Sequence, residues 1–125
     1  MKIIDPGHVY ELRHLDDDEC TELRFVKREG EKYPGNAGHH GGVTTQEVLR
    51  ALIERMLYVN GQQEHVENVE VVSFLRQSLM LLEQRAAKSA GYALDLRGLA
   101  HLHSECLPVC RRCGHVGCQR IACAP

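Results

Sequence analysis

The segment from Val66 to Ala90, VENVEVVSFLRQSLMLLEQRAAKSA, limits the folds open to this chain more than any other stretch. Val69, Val72, Leu75, Leu79, Leu82 and Ala86 recur at helical spacing, and Val71, Phe74, Met80 and Leu81 widen the stripe beyond the arc that one core face requires. Glu70, Ser73, Gln77 and Gln84 leave only a narrow polar strip. A helix so apolar needs cover on two sides, and a chain of 125 residues has few elements with which to wrap it. The expectation is a helix that packs its own domain on one side and a second copy of the chain on the other.

The helix before it is more conventional. Between Gln46 and Val59, Val48, Leu49, Leu52, Ile53, Met56 and Leu57 share one broad face, and Glu47, Arg50, Glu54, Arg55 and Tyr58 share the other. Thr44 followed three residues later by Glu47 is a capping box, and Asn60 with Gly61 is the expected stop, as Gly91 is for the second helix. The connection is short, so the two helices, 44–60 and 64–90, are expected to form an antiparallel pair. Upstream, the turn Asp5, Pro6, Gly7 precedes two partly alternating runs, His8 to Leu15 and Thr21 to Arg28, which predict a β-hairpin over 8–28. The acidic run Asp16 to Glu19 reads as its solvated tip, since the glycine and distal Glu of a calcium loop are absent. Cys20 reads as an ordinary hairpin residue. The predicted fold class is therefore α+β, a small antiparallel sheet packed on two antiparallel helices. The domain spans 1–96 and a Cys/His-rich tail spans 97–125.

The loop over 29–43 holds five glycines and leads into a helix start, where free N–H groups and the positive dipole end can hold a phosphate. Its spacing is neither the GxxxxGK[ST] nor the GxGxxG pattern. Asn36, His39 and Thr44 are its candidate ligand-contacting residues. On the helices, Arg76 lies amid Phe74, Leu75 and Leu79, so at an interface its guanidinium requires a carboxylate or a phosphate. Phe74, Tyr58 and Tyr92 are the aromatics placed to stack on a base. No Ser-His-Asp arrangement, paired buried carboxylates or open catalytic metal site is recognisable, so the expectation is a protein that is not an enzyme.

In the tail, Cys110, Cys113, Cys118 and Cys123 are spaced C-x2-C-x4-C-x4-C, which suits a structural zinc with four sulfur donors. His115 and Cys106 are alternative donors, and two disulfides are the alternative pairing, disfavoured in a reducing cytosol. The segment CRRCGHVGCQRIAC resembles a retroviral-type zinc knuckle in length and in Gly114 and Gly117. It departs from the knuckle in having Cys118 where that family has His, and Arg111 where it commonly has an aromatic. That resemblance implies a possible partner in single-stranded nucleic acid, although such a metal unit can equally staple the carboxyl end. Net charge near −2 argues against bulk binding to duplex DNA, despite four Arg against one acid from Arg97 onward. The amino terminus MKIIDPGHVY has no apolar signal region and no run spans a membrane, so a cytoplasmic protein with no membrane partner is expected.

The body of the chain, through PGHVYELRHLD, LRFVKREG, YPGNAGHHGGVTTQEVLRALIERMLYVN and LRQSLMLLEQRAA, resembles short proteins encoded by tailed phages and prophages. Among these it is similar to the Thoeris anti-defence sponge proteins. That resemblance implies a homo-oligomer in the cytoplasm of an infected bacterium. It would sequester cyclic ADP-ribose-type or cyclic oligonucleotide signals without cleaving them. Such a role needs arginines for phosphates and an aromatic for adenine, and Arg50, Arg55, Arg76, Phe74, Tyr92 and Arg97 are the candidates. A nucleic-acid-binding knuckle protein and a phage scaffold or assembly factor are the alternatives.

Overall fold

The computed structural model describes residues 1–89. Three strands, β1 (Lys2–Asp5), β2 (Val9–Arg13) and β3 (Cys20–Arg24), are followed by two helices, α1 (Thr45–Gln62) and α2 (Val66–Ser89). The strands form an antiparallel sheet in the order β1-β2-β3, so the α+β class holds. Between Thr45 and Gln46 the chain divides into two units, the sheet with its glycine loop and the helical pair.

The hairpin expected over 8–28 is the larger part of a three-stranded meander. Asp5, Pro6 and Gly7 do turn the chain, but they join β2 to a strand on their amino-terminal side. His8 N–H donates to the Asp5 carbonyl at 2.9 Å, and Gly7 takes a φ of 82°, which a residue without Cβ adopts at no steric cost. β2 and β3 pair from Val9 opposite Arg24 to Arg13 opposite Cys20. Their acidic connection is closed from within. Asp17 accepts the Glu19 N–H at 2.7 Å and the His14 Nδ1–H at 2.9 Å, while His14 Nε2 meets the Thr21 hydroxyl at 2.5 Å. Tyr10 and Phe25 meet edge to face at 6.0 Å. Phe25 to Arg28 do not extend β3 as expected. The chain there pairs with the returning glycine loop through Lys27–His40 and Phe25–Val43 bridges.

Lys27 also reaches back to the sheet's first turn, its ammonium donating to Asp5 Oδ2 at 2.7 Å. That hydrogen bond is the main reason the Asp5 carboxyl is held below the usual carboxylate range, with burial opposing it and the charges of Lys27, His8 and His40 adding to it. A carboxyl lowered by folding stabilises the native state above its unfolded value, about 3.9, and that contribution is lost as pH falls through the lower folded value. Asp5→Asn should therefore lower stability at neutral pH and leave it unchanged at the acid end. Urea titrations of both proteins across that range check this, and parallel curves at every pH would contradict it.

Both helices follow from their periodicity. Thr44 stands at the N-cap position of α1 with Glu47 at N3. Ile53, Val72 and Leu79 are buried at the centre of the pair, with Leu49, Met56 and Leu75 packed against them. Arg50, early in α1, contacts Glu83, late in α2, whereas Asn60, late in α1, contacts Asn68, early in α2, so the helices run antiparallel as expected. α1 does not stop at Asn60–Gly61. Gly61 stays out of the left-handed region, the Gln63 N–H continues the helical ladder to the Val59 carbonyl at 3.1 Å, and the Asn60 side chain turns instead to α2. Among the described residues, no helix is long and apolar enough to cross a membrane.

Candidate functional site

The helical pair holds the most unusual chemistry in the described chain. Arg50 and Glu83 form a hydrogen-bonded ion pair between α1 and α2, with side chains 5% and 0% exposed. Glu47, one turn before Arg50, brings a second carboxylate to 3.6 Å from its Nη1. Two desolvated opposite charges in direct contact satisfy one another where neither would be tolerated alone. The guanidinium expected to hold a phosphate is therefore occupied by the chain's own carboxylates, and Arg50 acts in the core of the pair.

The glycine loop behaves similarly. Glu29 Oε1 accepts the Gly38 N–H, and His39 Nδ1 lies 3.4 Å from Glu29 Oε2. Asn36 spends its amide on the Arg28 carbonyl, and its N–H donates to the Tyr33 carbonyl at 3.2 Å. An internal carboxylate thus takes a backbone amide of the kind that an external phosphate would use. His40 is half-buried, its ring edge-on to His8 at 6.3 Å.

The remaining candidates are spread over different faces. Arg55 is exposed on α1, on the side away from Ile53. Arg76 is half-buried on α2 beside the inward row of Val72, Leu79 and Glu83, whereas Phe74 is 64% exposed on the opposite side of the same helix. Arg76 and Phe74 therefore cannot serve one pocket within a single protomer without a second surface brought against α2. Tyr92, Arg97 and the four proposed zinc ligands, Cys110, Cys113, Cys118 and Cys123, lie outside the described residues.

One group of metal-ligating side chains occurs among the described residues. His14, Asp17 and Glu19 bring ligand atoms within 4.8 Å of one another at the β2–β3 turn. Asp17 and Glu19 are exposed and His14 is half-buried, and Asp17 already accepts from both His14 and the Glu19 backbone, which accounts for their proximity without an ion. Glu83 and Glu29 are the two residues that sequence reasoning passed over. Glu83 carried a usable signal: it lies four residues after Leu79 and eleven after Val72, within the inward stripe.

Compared with known proteins, the chain matches no family model, no curated protein and no solved structure.

Proposed function

We propose that this chain is a non-catalytic binding protein that assembles from copies of itself through α2 and sequesters a small cyclic nucleotide. The ligand class is a cyclic ADP-ribose-type or cyclic oligonucleotide defence signal, and the setting is phage evasion of bacterial immunity. One observation carries this reading. α2 buries one side against α1 and leaves Val66, Val69, Val71, Phe74 and Leu81 exposed on the rest of its surface. Apolar and aromatic area of that kind, beside cationic residues, favours association and supplies a face on which a base can stack.

The proposal draws its cations from Arg55, Arg76 and Arg97 and its aromatic faces from Phe74 and Tyr92. Phe74 borders the crevice where α2 meets a second copy. Arginine suits the task because its planar fork grips two phosphate oxygens at once. A structural zinc on the four tail cysteines belongs to the same proposal as a staple for the carboxyl end.

The test is capture and release. Purified protein is incubated with cyclic nucleotide signals, freed of unbound ligand, heated, and the supernatant analysed. Recovery of the intact signal is the expected result. Degraded products would make the protein an enzyme, and no retention of any candidate would end the proposal.

A further inference from the structure

We infer that α2 pairs antiparallel with α2 of a second copy about a two-fold axis between Gln77 and Ser78. This inference rests on the self-assembly proposed above and specifies its partner and register. Phe74 and Leu81, 64% and 66% exposed, lie seven residues apart on the side of α2 away from Val72 and Leu79. Glu67 and Lys88 extend that row by seven residues at each end, and Glu70 and Arg85 flank it, all of them exposed. A seven-residue repeat is the spacing at which two helices keep one seam in contact.

The row is self-complementary in one orientation only. Reflected about the Gln77–Ser78 midpoint, Phe74 faces Leu81 of the second copy, Glu70 faces Arg85 and Glu67 faces Lys88. Each match occurs twice by symmetry, as an isologous contact requires. The parallel alternative sets Glu70 against Glu70 and Arg85 against Arg85, and like charges across a seam oppose it. Within the described residues, Glu67, Glu70, Arg85 and Lys88 make no ion pair of their own. At the centre Gln77 faces Ser78 of the second copy, both of them exposed and polar in the single chain. From Glu67 to Lys88 the seam extends about 32 Å at the helical rise of roughly 1.5 Å per residue.

Charge reversal tests the register. Glu70→Arg sets a cation against Arg85 at both ends of the homodimer seam and Arg85→Glu sets a carboxylate against Glu70 at both, so sedimentation of each full-length variant should show association weakened about tenfold. An equimolar mixture restores both opposite-charge pairs and should recover wild-type association, as should the double variant. The substitutions are on the surface, and circular dichroism confirms that each chain remains folded. A wild-type protein that sediments as a single chain, or variants that associate like wild type alone and mixed, would overturn the pairing. Ligand retention is measured on the same samples. Unchanged association with ligand retained removes this register and leaves the binding proposal standing, whereas restored association without ligand supports the register and removes the binding proposal.

Discussion

Glu83→Ala should destabilise the protein by about 3 to 5 kcal/mol, the usual cost of removing one partner of a buried ion pair. The cost arises from what remains. With the carboxylate gone, the guanidinium of Arg50, itself only 5% exposed, stays in an apolar setting, and among the described residues Glu47 at 3.6 Å is the acid left beside it. Glu47 belongs to the exposed first turn of α1 and is shared with water, so it offsets little of the loss. The measurement is the urea midpoint of the full-length chain at constant slope. Replacing both partners together, Arg50→Met with Glu83→Leu, should return most of the stability, because well-packed apolar side chains of similar volume replace such pairs at little cost. A Glu83→Ala protein within about 1 kcal/mol of wild type would mean that the pair is not desolvated in solution.

Gly42→Ala should cost about 1 to 3 kcal/mol, through steric conflict in the sheet unit. A Cβ at Gly42 would lie 2.5 Å from the Phe25 carbonyl carbon and 2.6 Å from the Arg24 carbonyl oxygen. Both are backbone atoms and cannot swing aside as a side chain can. The returning loop is held there by the Val43 N–H to the Arg24 carbonyl at 2.9 Å and the Val26 N–H to the Val43 carbonyl at 3.0 Å. Displacing Gly42 loosens both bonds. Gly41→Ala is the matched control, since a Cβ there meets nothing within 4 Å. Amide exchange at Val26 and Val43 should accelerate in Gly42→Ala and remain near wild type in Gly41→Ala. Equal behaviour of the two variants would contradict the close approach.

Periodicity made the helices legible because the core cluster they share falls on the inward stripe of each. Ile53, Val72 and Leu79 are inward in the sequence pattern and buried in the structure. β1 was not legible. Its four residues are short of a clear alternation, and nearly all of them face solvent, so no pattern distinguishes KIID from a frayed terminus. β3 ends early because its expected second half pairs with the loop, a contact between residues that local propensity does not connect.

The same locality explains the candidate site. Arg50 looked available for a phosphate because its partner is 33 residues away, and Glu83, a carboxylate, gave no apolar signal in the stripe that holds it. The glycine loop's composition indicated close backbone approach, and the structure has such an approach at Gly42. There the neighbour is the protein's own strand.

Asn60 has a consequence for the order in which this chain folds. Its Oδ1 accepts the His65 N–H at 2.9 Å and the Asn68 amide at 3.3 Å, so one α1 side chain fixes the reversal of direction across five and eight residues of sequence. Closing so short a loop has a small entropic cost and is among the fastest events open to a polypeptide. The two helices can meet in register before residues 1–44 have found their strands, and the slower search falls to the meander, whose glycine-rich return must travel back to Arg24 and Lys27.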